Sequence, residues 1–258
     1  MQVTDYNLQN NILLDFGYNV FESMRVYEGK IFCLKEHFKR LEESAKTLKI
    51  DLPYSKKELK TIVLREFKKS GIENAYVRIS IDSKHKLNVI VKPAKSYSPK
   101  LYQKGVEIVT ITMKKDLVSA LFSEAKTGNF LNGILARMEA GNFFEAILIN
   151  REGFITEGTV SNIFMIKNNV LFTPPIFLGI LPGITRKVVM ELAKDVGLGL
   201  KEAIFTRHEL YNADEVFLTN TSIEIMPVRY VDKRKIGSGL FRNTNNLRKR
   251  FIERRRND

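Results

Sequence analysis

The sequence predicts an α+β protein built as two domains, and three observations carry that expectation. Strand-like segments are punctuated by single helical segments instead of alternating strictly with them, which argues against a regular βαβ repeat. A length of 258 residues suits one large domain or two modest ones. The stretch KPAKSYSPK, Lys92 to Lys100, holds two prolines and no apolar run, and reads as a break between domains. The expected division is a small N-terminal α/β domain over 1–95, a linker over 96–104 and a larger C-terminal domain over 105–258.

From Phe21 the text VFESMRVYEGKIFCL alternates, with Glu28-Gly29 at a turn, and predicts two strands joined as a hairpin. Helices follow over about Lys35 to Leu48 and Lys56 to Lys69. NAYVRISID and KLNVIVKPA then read as paired strands about the polar SKHK. The second half opens with the strand GVEIVTITM. In SEAKTGNFLNGILARMEAG, residues Phe130, Leu131, Ile134, Leu135 and Met138 recur at helical spacing. EAILINREGFITEG and SNIFMIKNNVLFTPP each read as two strands, about a Glu-Gly turn and about Asn168-Asn169. LGILPGITRKVVMELAKDVG predicts a helix whose buried face is Val188, Val189, Leu192, Ala193 and Val196, and ADEVFLTNTSIEIMPVRYVD returns to strands.

The composition, 44% hydrophobic and 28% charged, is that of a globular protein, and no apolar stretch approaches the roughly 20 residues of a membrane span. The start MQVTDYNLQNNILLDF lacks the features of a secretory signal. A single cysteine, Cys33, rules out an internal disulfide and a cysteine metal cluster, so a cytoplasmic protein with no bound metal is expected. The net charge of +13 admits nucleic acid, a membrane surface or small anions as partners. Most of it lies on helix faces interleaved with Glu, the pattern of a solvated helix. The tail LRKRFIERRRND is the exception, and reads either as a solvated terminal helix or as a polyanion-binding arm.

Three places could carry chemistry. Pro182 and Gly183 turn the chain into a helix whose first N–H groups, at Ile184 and Thr185, have no intrahelical acceptor and favour an anion; an ordinary helix start capped by threonine reads the same. Lys126, flanked by small residues at a helix start, could attack a carbonyl as a neutral amine, or be a surface lysine. Glu157, in FITEGTVSN, could hold a proton on a ring nitrogen, or be a turn glutamate.

These stretches resemble, in order and spacing, the class IV aminotransferase family: AKTGNFLNGILA with Lys126, EGTVSNIF after Glu157, LFTPP, GILPGITR and TNTSIEIMPV, joined by VFESMRVYEGKIFCLKEHFKRLEESA in the first half. The resemblance covers nearly the whole chain. It implies the two-domain, D-amino-acid aminotransferase-like fold of fold-type IV pyridoxal-phosphate enzymes, with pyridoxal 5′-phosphate between the domains. It also implies that Lys126 bonds the cofactor and shuttles the proton, that Glu157 pairs with the pyridine nitrogen, and that Arg40, Ile184, Thr185 and Thr221 bind the phosphate. Arg25, Arg78, Phe16, Phe130 and Ser222 would meet the substrate. Family members are homodimers, so a homodimer acting on a small anionic, amine-bearing substrate is expected, with neither membrane nor nucleic acid as partner.

Departures from the family's patterns bear on which member this is. Phe130 and Phe16 stand where branched-chain aminotransferases use tyrosines, and a site without its donors discriminates poorly. Three positions beyond Arg78, where D-amino-acid aminotransferases carry an arginine, stands Ile81. The family's usual N-terminal strand with an Asn-Gly turn is missing before Asn10, and lyases are the shorter members. The sequence therefore puts first an aminodeoxychorismate lyase of folate biosynthesis, forming p-aminobenzoate and pyruvate. A branched-chain-type aminotransferase using 2-oxoglutarate is the alternative, and a polyanion-binding protein a further one.

Overall fold

The computed structural model of the chain describes residues 17–112 and 124–257, which form a mixed helix and sheet protein. Two compact units emerge: residues 17–94 together with Ala125–Phe130, and the remainder from Lys95 onward. The stretch read as a linker belongs to the second unit, and Pro99–Lys104 within it is a short helix. Proline at its first turn and Ser98, whose hydroxyl accepts the Lys100 N–H, start that helix.

The first unit is an antiparallel sheet with two helices on one face. Its strands are β1 (Asn19–Tyr27), β2 (Lys30–Ile31), β3 (Ala75–Asp82) and β4 (Leu87–Pro93), in the order β2-β1-β3-β4. The expected hairpin at Glu28-Gly29 forms, although β2 pairs with β1 only at Val26 and Tyr27, and β3 is the main partner of β1. Alternation sends Val20, Met24 and Val26 of β1 and Val77, Ile79 and Ile81 of β3 to the core. There they meet Phe38, Leu41 and Ala45 of α1 (Leu34–Thr47) and Leu59, Val63 and Phe67 of α2 (Lys56–Ser70). A Ser55/Glu58 capping box opens α2 and Gly71, at φ +64°, closes it.

In the second unit, α3 (Pro99–Lys104) leads into β5 (Val106–Ile111), and α4 (Leu131–Glu139) into β6 (Glu145–Ile149) and β7 (Ile155–Gly158). β8 (Asn162–Lys167) and β9 (Val170–Thr173) turn about Asn168 and Asn169, both at positive φ, the backbone a tight two-residue hairpin requires. Then come α5 (Ile184–Leu192), β10 (Gly199–Glu202), α6 (Arg207–Tyr211), β11 (Glu215–Asn220), β12 (Glu224–Val231), β13 (Arg234–Lys235) and α7 (Arg242–Asn257). One mixed sheet runs β10-β9-β8-β11-β12-β5-β6-β7, with β13 on β12. Its core includes Ile108, Ile147, Ile155, Ile163, Val216 and Met226.

The structure differs from the sequence reading, or adds to it, at these places. Lys126 is not at a helix start: α4 begins only at Leu131, and Thr127 instead bridges to Val20 of β1. The apolar residues that recur at helical spacing in α4 point outward, with Leu131, Ile134, Leu135 and Met138 exposed. The helix rests instead on Gly133 and Ala136, small residues that let it lie close to the strands. The helix after Gly183 ends at Leu192 and passes into a 3₁₀ turn over Lys194–Val196, so Val196 is only half-buried. Strand β10 has no counterpart in the sequence reading, because four residues, one of them the glycine that opens the strand, give no periodic signal. The basic tail forms α7, which buries Thr244, Leu247 and Phe251 and turns most of its cations outward. No helix among the described residues is long and apolar enough to cross a membrane.

Candidate active site

In the first unit the backbone of Lys126 is held on two sides. Its carbonyl accepts the Phe21 N–H at 3.0 Å, and its N–H donates to Ser44 Oγ at 2.9 Å. The Gly128 N–H adds a bond to the Asn19 carbonyl, zipping this segment to β1. Both glycines of that contact are required: a Cβ on Gly17 would lie 2.8 Å from the Gly128 carbonyl, and one on Gly128 2.4 Å from Asn19 Nδ2. The lysine Nζ lies 4.6 Å from the centre of the Phe21 ring, and the Arg78 guanidinium 3.6 Å from the same centre.

Arg40 is buried, and its partner is a residue that the motif reading passed over. Glu22 sits on the core face of β1, fully buried. Its two oxygens accept from Arg40 Nε at 2.6 Å and Arg40 Nη2 at 2.8 Å, and its Oε2 lies 2.7 Å from His37 Nδ1. Burial alone would raise the pKa of Glu22; the charge of Arg40 and then that of His37, with their hydrogen bonds, outweigh it and bring it to about 2. Burial lowers the pKa of His37, and Arg40 and Lys126 lower it further against the pull of Glu22. The ring is therefore neutral at pH 7, with Nδ1–H donating to an ionised Glu22.

This cluster makes the fold acid-sensitive. A depressed carboxylate pKa stabilises the folded state above the ordinary value of 4.5, and the contribution disappears as pH falls towards about 2. It is on the order of 3 kcal/mol at neutral pH. A histidine kept neutral adds stability above 6.5 that declines as pH drops below that value. Urea midpoints should thus fall gently below pH 6.5 and steeply between 4.5 and 2, and Glu22→Gln should flatten the steep part. An unchanged acid profile in the variant would refute the assignment.

In the second unit Glu157 closes β7, and its Oε2 accepts the Leu181 N–H at 2.9 Å and Asn162 Nδ2 at 3.5 Å. The same Nδ2 donates to the Leu181 carbonyl at 2.9 Å, so the carboxylate is tied to the turn that enters α5. Gly183 precedes that helix with no capping side chain, because a Cβ there would lie 2.1 Å from Asn162 Oδ1. The first-turn N–H groups, at the buried Ile184 and Thr185, are left without a side-chain acceptor from the cap. Arg186 fixes the helix, donating to the Pro174 carbonyl and to Glu202.

A second buried carboxylate shapes the turn after Glu157. Glu145 accepts from the hydroxyls of Thr159 and Ser161 and from the N–H groups of Thr159 and Val160. Asn220 joins this turn to the next, donating to the Val160 carbonyl and accepting the N–H groups of Ser222 and Ile223 around the half-buried Thr221. Nearby in sequence, Thr219 Oγ1 is buried with no hydrogen-bond partner among the described residues.

The structure thus joins Lys126, Arg40 and Arg78 in one network of the first unit, and Glu157, the α5 start and the turn of Thr221 and Ser222 in one network of the second. Arg25 lies on the same face of β1 as Phe21 and stacks on Tyr27. Phe130 is exposed, and Phe16 lies outside the described residues. Of the tyrosines that could replace a missing phenol, Tyr18 donates to the Leu48 carbonyl and Tyr76 pairs with Ser23. Glu22, His37, Glu145 and Asn162 were not foreseen. For Glu22 there was a signal: a carboxylate in the register of Val20, Met24 and Val26.

The amine and guanidinium of the first unit are of the kinds that suit an aldehyde and a phosphate, and the carboxylate and uncapped helix start of the second are of the kinds that suit a ring nitrogen and a phosphate. Residues 19–231 match the family model described as Amino-transferase class IV. A putative branched-chain-amino-acid aminotransferase of Methanocaldococcus jannaschii is 38% identical over 236 residues, 86% of this chain and 82% of that protein. A D-alanine aminotransferase of Bacillus licheniformis is 37% identical over 87% of this chain and 82% of its own length. The T.th. branched-chain amino acid aminotransferase, crystallised with pyridoxamine 5′-phosphate, superposes with a TM-score of 0.87 at 32% identity, over 93% of this chain and 86% of that one. These similarities favour the aminotransferase alternative over the lyase that the sequence put first. The chain belongs to the class IV aminotransferase family and is a pyridoxal-phosphate enzyme.

Proposed function

We propose that the protein is a transaminase that moves the amino group of a branched-chain L-amino acid to a 2-oxo acid such as 2-oxoglutarate. The observation that carries this reading is the division of β3. Arg78 lies on the open face of the sheet beside Phe21, whereas Ile81 is fully buried in the core. The position at which D-amino-acid enzymes hold a carboxylate-binding arginine is here an apolar core contact. The Methanocaldococcus jannaschii relative supports the same reading.

The bound cofactor supplies an electron-accepting ring that acidifies the Cα–H of an attached amino acid. In this reading Lys126 would hold the cofactor, and its amine would take up and return the proton at the substrate carbon. The Glu157 carboxylate, oriented by Leu181 and Asn162, keeps a proton on the ring nitrogen. The N–H groups of Ile184 and Thr185, with Arg40 and Thr221, hold the phosphate. Arg25 and Arg78 bind substrate carboxylates, and Phe21, Phe130 and Ser222 border the side chain.

The exposed face of α4, with Met138 73% exposed, supports a homodimer in which a second copy covers it. Sedimentation should give a dimer, and a monomer at micromolar concentration would exclude it. The function is tested by supplying L-leucine, L-valine or L-isoleucine with 2-oxoglutarate and measuring glutamate. Turnover of these, with D-alanine at least about tenfold poorer, is the expected result. Release of p-aminobenzoate from aminodeoxychorismate without glutamate formation would overturn it in favour of the lyase.

A further inference from the structure

The geometry points to Glu22 and His37 as positioning residues that hold the Arg40 guanidinium in place for the cofactor's 5′-phosphate. The inference rests on the reading of Arg40 as a phosphate ligand given above, and concerns what makes that ligand effective.

A carboxylate in the middle of an apolar strand face is costly, and a buried ion pair contributes less to stability than well-packed apolar side chains of the same volume commonly do. The register of β1 would accept a valine or methionine at position 22, as it does at 20, 24 and 26. What the carboxylate adds is orientation. Arginine carries about 2 kcal/mol of rotamer entropy, and a planar fork onto one carboxylate removes it before any ligand arrives.

Here the fork is complete: Nε and Nη2 each reach a different oxygen of Glu22. A guanidinium fixed along this side-on edge has its plane set, and the end-on edge of that plane is the one that suits two oxygens of a phosphate. His37 Nδ1 grips Oε2 and stops the carboxylate from turning. His37 and Arg40 are three residues apart on α1, so both hands of the clamp come from one rigid helix. One turn further along the same helix, Ser44 accepts the backbone N–H of Lys126. A single helix face therefore sets both the guanidinium and the backbone of the lysine, the two points at which this unit would hold the phosphate and the aldehyde of the cofactor.

The test uses the full chain freed of cofactor and titrated, by absorbance, with pyridoxal 5′-phosphate and with pyridoxal, which has the same ring and aldehyde but no phosphate. Glu22→Gln keeps one acceptor and turns an NH2 group against Arg40 or His37. It should weaken pyridoxal phosphate binding by about tenfold or more while pyridoxal binding stays within about twofold, a size typical of lost outer partners at a bound centre. His37→Asn, whose amide can still donate to Glu22, should bind pyridoxal phosphate nearly as the wild type does, and His37→Leu should follow Glu22→Gln.

Equal weakening of both ligands by Glu22→Gln in a folded protein, or no weakening of either, overturns the inference. If that variant does not fold, the histidine pair decides it: equal losses in His37→Asn and His37→Leu, or none in either, overturn it. Arg40→Ala separates the two levels. If it leaves the preference for pyridoxal phosphate intact, the phosphate role of Arg40 fails and the inference with it. If it removes the preference while Glu22→Gln and His37→Leu do not, only the inference fails.

Discussion

Lys126→Ala is expected to lower transamination turnover by about 10⁴-fold or more, with the fold retained. In the proposed function this residue is both nucleophile and proton carrier, and the size follows from losing both. Retention of the fold follows from how the residue is held: the bonds to Phe21 and Ser44 use its main chain, which alanine supplies equally well. The side chain adds its approach to the Phe21 ring. Initial rates with L-leucine and 2-oxoglutarate, measured beside the urea midpoint, check both halves. Turnover within tenfold of wild type in a folded variant would mean that another group carries the proton.

Glu157→Gln is expected to lower kcat by about 10²-fold, the low end of what a well-placed acid–base group contributes. The amide oxygen can still accept the Leu181 N–H, so the turn into α5 survives, but the negative charge that keeps the ring nitrogen protonated is lost. The drop should be in kcat, with KM for the amino acid little changed, because Glu157 does not touch substrate in this reading. A loss confined to KM would move Glu157 from the cofactor to the substrate side of the site.

Much of the fold was legible in the sequence because local signals and tertiary demands agree. The helix from Lys56 has a capping box at Ser55/Glu58 and a glycine at its end, and the Asn168-Asn169 turn has residues that tolerate positive φ. Where the two diverge, the reading failed. In α4 the periodicity was real, but the residues that pack are Gly133 and Ala136, and small residues carry no weight in a hydrophobic pattern. In β1 the alternation was visible and its exception was not weighed. Glu22 sits in an apolar register only because α1, a separate element, brings His37 and Arg40 to it. The cofactor residues were named through resemblance. Nothing in the spacing of Arg40 within KEHFKRLEESAKTLK sets it apart from the exposed lysines around it. The clamp of Glu145 on the turn after Glu157 joins a strand to a loop through a side chain, and no local pattern encodes that.

The placement of Ala125–Phe130 with the first unit has a kinetic meaning. The chain leaves that unit after Ala94, enters the second, comes back to deliver Lys126 and departs again. The Val20–Thr127 bridge therefore closes a loop of about a hundred residues, an entropically late event in folding compared with the β1–β3 pairing beside it. A nascent chain released at residue 94 would hold the strands and helices of the small unit but not Lys126. Lys126 docks against Phe21 only after the polypeptide has been made well beyond that strand, so the sheet can be assembled before this lysine reaches it.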